Sequence, residues 1–180
     1  RSLGVPNSSA QLVITLAIFS IAAGAVVYGP LSDRFGRRPV LLGSLWLAVG
    51  GSVIAALAPN FEIILLGRVL QSIGTGAGLV LARAVARDLF GVRGSAAMIA
   101  RITGFMVVAP MVAPTMGGLV IEYVGWRGVF AAIGLLSSAL LICAQARFRE
   151  TLKTPSAQPT LPSVGSLYSS VSADASFMRI

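Results

Sequence analysis

Long apolar runs dominate the pattern along the chain, and only short polar segments separate them. A helix needs about 20 mostly apolar residues to cross the hydrocarbon core of a bilayer. The pattern predicts five such helices, named spans a to e in chain order, at residues 11–30, 40–58, 63–85, 98–121 and 128–147. The connections leave no room for a soluble domain, so the predicted fold class is an all-α integral membrane bundle.

The composition supports this fold class and excludes several functions. The chain is 56% hydrophobic and 11% charged, whereas soluble domains carry about 25% charged residues. Its net charge of +8 is spread among the apolar runs and forms no single basic face for nucleic acid. There is no histidine and one cysteine, Cys143, which removes the usual zinc ligands and histidine-activated nucleophiles. We therefore expect no enzyme activity, no metal and no cofactor.

The basic residues fall on alternate connections between the spans. Nine of them follow spans a, c and e: Arg34, Arg37, Arg38, Arg87, Arg93, Arg101, Arg147, Arg149 and Lys153. The other two connections hold only Arg127, and Arg1 precedes span a. Because cytoplasmic loops are enriched in Lys and Arg, the N-terminus is predicted outside and the C-terminal tail in the cytoplasm.

The two ends of the chain also carry expectations. Residues 1–10 are predicted to be extracytoplasmic, 11–150 to hold the helices, and 151–180 to be a cytoplasmic linker with the possible start of another helix. The Pro- and Ser-rich tail suits a flexible linker between two membrane halves, but a disordered end created by truncation fits it equally. A start at Arg1 and an odd number of spans predict a fragment whose preceding helix is missing.

The first loop, GPLSDRFGRRP at residues 29–39, concentrates helix breakers and charges. Pro30 and Gly36 are expected to break the helix and permit a tight turn. Asp33 is placed to accept hydrogen bonds from nearby guanidinium groups. On charge alone, the loop could equally be a simple positive-inside stop signal.

Span c contains an arginine well inside the apolar run. Arg68 lies six residues after Glu62, or about 9 Å along a helix, where a charge costs at least about 2.5 to 3.5 kcal/mol. We expect it to face a bundle interior or water, with Gln71 on the same helix face. The alternative is that Arg68 extends its side chain to the outer surface.

Span d contains Pro110 and Pro114 on one helix face, followed by Gly117 and Gly118. Each proline removes a backbone hydrogen bond and is expected to bend the helix. This predicts a hinge or a cavity wall, and simple kink formation is the alternative.

Three of these segments resemble signatures of the major facilitator superfamily. Residues 29–39 are similar to its loop between the second and third helices. The segment from Arg68 to Gln71 is similar to the fourth-helix signature R-x-x-Q-G, with Ser72 in place of the glycine. Span d is similar to the fifth-helix antiporter signature, with Ala113 in place of a glycine.

The resemblance implies roles for individual residues. Arg68 and Gln71 would take part in proton coupling. Asp88 is expected to pair with Arg37, as an equivalent acidic residue does in related transporters, although solvated interfacial charges are the alternative. The conformational latch would comprise Gly29, Asp33, Arg34, Gly36, Arg37, Arg38 and Asp88. The residues that distinguish exporters from importers would be Pro110, Pro114, Gly117 and Gly118.

The phrases YGPLSDRFGRRP, RAVARDLF, APMVAP and GWR together look like the Bcr/CflA subfamily of bacterial drug:proton antiporters. This implies helices two to six of twelve, a partial N-terminal bundle in the bacterial inner membrane with a periplasmic N-terminus. The implied function is proton-coupled efflux of small amphipathic drugs. The implied partners are the drug, protons, lipid, the missing first helix and the C-terminal half, and no nucleic acid. Since the spans hold no carboxylate, Arg68 would modulate a proton carrier located elsewhere.

Other functions remain open on the sequence. An importer of a small metabolite would share the latch loop and Arg68, but the prolines of span d argue against it. A non-transporting membrane scaffold or sensor would not need a charge inside the bilayer. A membrane-embedded enzyme is the weakest alternative, because the spans offer neither histidine nor paired carboxylates.

Overall fold

The computed structural model describes residues 7–152 of the chain, so most of the predicted end segments 1–10 and 151–180 lies outside this range. Within it, the backbone forms five long helices that are apolar enough to cross a membrane. They are α1 Asn7–Phe35, α2 Arg37–Ala56, α3 Phe61–Gly91, α4 Gly94–Val124 and α5 Trp126–Arg147. Each predicted span corresponds to one helix, so the all-α membrane fold is confirmed.

Glycines in the left-handed region mark three helix junctions. Gly36 between α1 and α2 has φ 98°, Gly91 at the end of α3 has φ 66°, and Gly125 before α5 has φ 84°. Side chains with a Cβ rarely adopt these angles. The remaining junction uses Asn60, whose Oδ1 accepts a hydrogen bond from the N–H of Ile63 at 3.0 Å and so caps α3.

The predicted helix break at Pro30 was wrong, whereas the predicted bend at Pro110 and Pro114 stays a prediction. Pro30 lies inside α1, which continues to Phe35, and Gly36 alone makes the turn. Pro110 and Pro114 lie inside α4, which stays helical through both, and the backbone interruption is instead at Gly91. A proline loses one helical hydrogen bond but keeps a φ near −65°, which a helix accepts, whereas the φ of Gly36 or Gly91 is incompatible with a helix.

Helices α1, α2 and α3 pack closely through small residues. A Cβ on Gly76 of α3 would lie 2.9 Å from the Ile21 carbonyl oxygen of α1, and one on Gly74 would lie 2.5 Å from the Ser44 carbonyl oxygen of α2. Such small residues let helix backbones approach in a membrane. By contrast, Gly78 of α3 has nothing within 4 Å of its Cβ position and is exposed.

Helix α2 lies between α3 and α5, which places it at the centre of the packed part. On its α5 side, Gly134 would bring a Cβ to within 3.1 Å of the Ser52 Cβ. Helix α4 differs from the others, because no residue in its most apolar 18-residue window is buried within the described part of the chain. Its large side chains, such as Phe105 and Met111, are exposed and available to lipid or further helices.

Candidate functional site

The loop at the end of α1 is organised around Arg37, the first residue of α2. Its guanidinium is almost fully buried and donates through Nε to Asp88 Oδ2 of α3 at 3.0 Å. Its Nη1 lies 2.7 Å from Asp33 Oδ1 and also donates to Ser32 Oγ, which in turn donates to the Gly29 carbonyl. The expected pairing of Asp88 with Arg37 is present, and Arg37 joins two carboxylates from different helices.

The charge of the Arg37 guanidinium is paired in this part-buried setting. A buried charge is costly unless it is paired and hydrogen-bonded, and Arg37 has two carboxylates and a hydroxyl as acceptors. A cleft of about 240 Å³ lies beside the Arg37–Asp88 pair, between the loop and α3, and Gly29 and Arg87 also line it. The loop therefore holds the end of α1, the start of α2 and the end of α3 together.

The other predicted latch residues have different surroundings. Arg38 donates through Nη2 to the Gln145 carbonyl of α5 at 3.2 Å. The Arg34 guanidinium is exposed and lies over the Phe35 ring, 5.1 Å from its centroid. Thus Arg37 and Arg38 connect the loop to neighbouring helices, whereas Arg34 remains at the surface.

Glu150, which sequence reasoning missed, caps the start of α2. Its carboxylate accepts from the backbone N–H groups of Arg37 at 2.9 Å and Arg38 at 3.0 Å, and from those of Thr151 and Leu152. Partial burial alone raises the pKa of Glu150, but the four N–H donors outweigh it and hold the pKa below its usual range. A carboxylate is also favoured at the positive end of the α2 dipole.

The backbone angle at position 36 favours glycine, and the Glu150 carboxylate lies against this residue. Its φ of 98° is unfavourable for other residues, and a Cβ there would lie 2.6 Å from Glu150 Oε2. Since Glu150 follows α5, the turn at Gly36 is closed by a segment more than a hundred residues away in the chain.

A second polar cluster lies inside the membrane-spanning part of α2 and α3. Arg68 Nη1 donates to Gln71 Oε1 at 2.6 Å, and Gln71 Nε2 donates to Ser52 Oγ at 2.7 Å. Ser52 Oγ donates to the Ala48 carbonyl at 2.7 Å. Gln71 is 2% exposed and Ser52 is 1% exposed, so the chain of hydrogen bonds runs from a half-buried charge into the packed interior.

The predicted shared face of Arg68 and Gln71 is therefore present. The Arg68 guanidinium is bound to a buried amide, which is the interior arrangement and not the alternative of extension to the surface. Ser52 was not predicted. The signal for it was a hydroxyl in the small-residue run Gly50-Gly51-Ser52, inside an otherwise apolar span.

The predicted residues of α4 are not brought to either cluster. Pro110, Pro114 and Gly118 are exposed, and Gly117 is half-buried. Within the described residues, nothing lies within 4 Å of the Cβ positions of Gly117 and Gly118. This part of α4 is open to a neighbour.

The end of the bundle opposite the Arg37 cluster is held by a contact of its own. Arg127, near the start of α5, donates through Nη2 to the Ala58 carbonyl just beyond α2 at 3.1 Å, and lies over the Trp126 ring at 4.5 Å. The contacts of Arg37, Arg38 and Glu150 are all at the other end. The basic connections after α1, α3 and α5 thus meet at one end of the bundle.

Comparison with known proteins identifies the family. The model of the Major Facilitator Superfamily matches residues 1–178. The chain belongs to the major facilitator superfamily. The resemblance of its loop, α3 and α4 segments to this superfamily is thereby confirmed.

Three relatives match most of the length of this chain. It is 42% identical over 136 residues to a chloramphenicol resistance protein of Pseudomonas aeruginosa, covering 75% of this chain and 32% of the relative. It is 34% identical to the uncharacterized MFS-type transporter YdgK of Bacillus subtilis, covering 84% of this chain and 38% of the relative. It is 32% identical to the multidrug resistance protein MdtL of Escherichia coli O9:H4, covering 80% of this chain and 37% of the relative. The chain spans about a third of the length of these relatives.

Proposed function

We propose that this chain belongs to a proton-coupled exporter of small amphipathic drugs that works by alternating access in the bacterial inner membrane. The observation that carries the proposal is the Arg68–Gln71–Ser52 network inside the membrane-spanning bundle. A charge held at that depth is expensive and marks a transport or proton pathway by default. The chloramphenicol and multidrug resistance relatives support the substrate class.

In this proposal, Arg68 acts on the proton carrier and does not carry the proton. The described helices place no carboxylate beside Arg68, so the carrier belongs to another part of the transporter. A guanidinium near a carboxylate lowers its pKa because it favours the charged form. Arg68 would therefore promote release of the proton, and its position relative to the carrier would set the pH range of transport.

The Arg37 cluster is proposed as the conformational latch. While Arg37 joins Asp33 and Asp88, the ends of α1, α2 and α3 stay together. When these ends separate, Arg37 exchanges its carboxylate partners for water. New contacts elsewhere in the transporter can offset the free-energy cost of this exchange. The latch thus stabilises one conformational state over the other without blocking their exchange.

The exposed segment of α4 is proposed to face the rest of the transporter and to determine export. Pro110, Pro114, Gly117 and Gly118 offer a surface that lacks bulky side chains, suitable for close approach of another helix. The proposed orientation places the Arg37 end in the cytoplasm and the Arg127 end outside, because the basic connections meet at the Arg37 end.

The test is drug efflux by the complete gene product in a pump-deficient bacterium, with and without a proton uncoupler. Wild type, Arg68→Ala, Arg68→Lys and Arg147→Ala are compared, the last removing an exposed arginine at the end of α5. We expect uncoupler-sensitive efflux in wild type and Arg147→Ala, and loss of most efflux in Arg68→Ala. Efflux that persists after collapse of the proton gradient contradicts antiport. Uncoupler-sensitive accumulation of the drug inside the cells would indicate an importer. The absence of any drug movement would indicate a non-transporting scaffold.

A further inference from the structure

We propose that Ser52 is a positioning residue that orients the Gln71 amide toward Arg68 and thereby sets the pH range of transport. The proposal rests on the proposed function of Arg68 in proton coupling. It assigns a role to α2, a helix that carries no charge inside the membrane within its described length. The role depends on the direction of the hydrogen bonds and not only on their presence.

The Gln71 side chain can bind Arg68 in only one of its two amide orientations. A carboxamide has an oxygen that accepts and an NH₂ group that donates. Arg68 is a pure donor, so Gln71 must present Oε1 to it, as observed at 2.6 Å. The NH₂ group then points into the bundle and needs an acceptor there, because an unpaired buried donor costs free energy.

Ser52 provides that acceptor and is prevented from acting as a competing donor. A serine hydroxyl has one proton, and Ser52 donates it to the Ala48 carbonyl of its own helix at 2.7 Å. Only lone pairs remain for Gln71, whose Nε2 lies 2.7 Å away. With the opposite amide orientation, the oxygen would face these lone pairs and the NH₂ group would face the guanidinium. Both contacts are repulsive, so Ser52 fixes the orientation.

The packing around Ser52 keeps water out of this arrangement. Gly51, its neighbour, would place a Cβ against the Gln71 backbone nitrogen, so α2 and α3 are in backbone contact at this level. On the other side, Gly134 of α5 lies close to the Ser52 Cβ. Ser52 is 1% exposed, so the surrounding helices close its hydroxyl off from bulk solvent.

Removal of the hydroxyl therefore has a predictable effect on Arg68. In Ser52→Ala the Gln71 NH₂ group loses its acceptor, the amide is held by Arg68 alone, and its contact with Arg68 is less firmly positioned. A less constrained guanidinium lowers the pKa of the proton carrier by a smaller amount. The pH profile of transport should then move in the alkaline direction, as it should more strongly in Arg68→Ala.

Ser44 provides a matched control on the same helix. It is also a buried serine, and its hydroxyl donates to the Leu41 carbonyl at 2.8 Å in the same manner. It lies two turns away from Ser52, and its described hydrogen bond does not involve Gln71 or Arg68. Ser44→Ala removes a buried hydroxyl of the same helix outside the Arg68 network.

The experiment measures drug-driven proton exchange by the complete gene product in proteoliposomes across a pH series. Ser52→Ala should lower the rate about fivefold to tenfold at neutral pH, the loss expected for one hydrogen bond between uncharged groups, and shift the profile to higher pH. Ser44→Ala should shift nothing. In a Gln71→Ala background, Ser52→Ala should add no further shift, because the residue through which it acts is gone.

A second measurement is independent of transport. Modification of Arg68 by phenylglyoxal, followed by mass spectrometry of the purified protein, should be faster in Ser52→Ala than in wild type or Ser44→Ala. Equal modification rates in all three proteins overturn the proposal. It is also overturned if Ser52→Ala, introduced into the Gln71→Ala background, adds its full shift of the pH profile. If the wild type shows no proton coupling, the proposed function fails, while the modification rates still decide whether Ser52 orients Gln71.

Discussion

The Nε atom of Arg37 lies 3.0 Å from Oδ2 of Asp88, although 51 positions separate the two residues in the chain. The same guanidinium contacts Asp33 four residues before it. The two carboxylates are not equivalent, since the Asp88 side chain is 22% exposed and that of Asp33 is 54% exposed. Water screens the more exposed pair, so the link to α3 contributes more to stability.

The first prediction is that Asp88→Asn destabilises the protein more than Asp33→Asn. Asp88→Asn removes the partly buried acceptor of Arg37, whereas exposed ion pairs contribute about 1 kcal/mol or less. The measurement is the thermal unfolding midpoint of the complete, purified protein in detergent. In a double-mutant cycle that combines Arg37→Gln with Asp88→Asn, the coupling free energy should be about 0.5 to 3 kcal/mol, the range for residues in contact. Simple additivity of the two substitutions would contradict the pairing.

The second prediction concerns adjacent glycines on α2 that have opposite surroundings. Gly51→Ala should destabilise strongly, because its Cβ would overlap the Gln71 backbone nitrogen and lie 2.6 Å from the Gly67 carbonyl oxygen. Overpacking of this kind costs about 1 to 3 kcal/mol or more. Gly50→Ala is the control, with nothing within 4 Å of its Cβ position, and should be neutral or slightly stabilising. Yield of monodisperse protein and its unfolding midpoint are the readouts, and equal effects at both positions would refute the close crossing of α2 and α3.

The third prediction is a pH dependence from Glu150. Its pKa is lowered in the folded protein, so its carboxylate binds protons less readily when folded than when unfolded. The stabilisation it gives is present above the unfolded value of about 4.3 and is lost as the pH falls through the lower folded value. The difference in unfolding midpoint between wild type and Glu150→Gln should therefore be constant near neutral pH and shrink below about pH 4.

The control for this experiment is Glu122→Gln, which removes an exposed carboxylate near the other end of the bundle. Glu122 does not cap the start of α2, so this substitution should not reproduce the effect of Glu150→Gln. A midpoint difference for Glu150→Gln that grows on acidification would mean that the N–H donors do not stabilise the charged carboxylate.

The fourth prediction concerns orientation and uses the single cysteine of the sequence. Cys143 is exposed on α5, and Cys143→Ser gives a background for single-cysteine labelling. In intact cells, a membrane-impermeant thiol reagent should label Leu57→Cys, at the exposed end of α2, and should not label Arg149→Cys. Permeabilised cells, in which both positions should react, are the control. The reverse pattern in intact cells would place the Arg37 cluster outside the cytoplasm.

Much of the fold followed from the sequence because the membrane imposes one simple requirement, a long apolar helix. The Arg68–Gln71 contact was also predictable, since residues three apart share a helix face. By contrast, Ser52 and Glu150 act across helices. Their roles depend on which helix packs beside which, and a pattern within one segment does not contain that information.

The error at Pro30 had a physical origin of the same kind. Pro30 was expected to break its helix, a rule that weighs the lost hydrogen bond. In the structure the backbone angle decides, and Gly36 and Gly91 adopt angles that no helix contains. The sequence signal for these junctions was a glycine beside arginines at the end of an apolar run.

Helices α2 and α5 are fastened to each other at both ends of the bundle. Arg127 binds the Ala58 carbonyl at one end, and Arg38 and Glu150 join the start of α2 to the end of α5 at the other. Separating α2 from α5 at either end would break these contacts, whereas moving the two helices together would keep them. We therefore expect α2 and α5 to move as one unit, with α3 held to α2 by the Arg37–Asp88 and Gln71–Ser52 contacts.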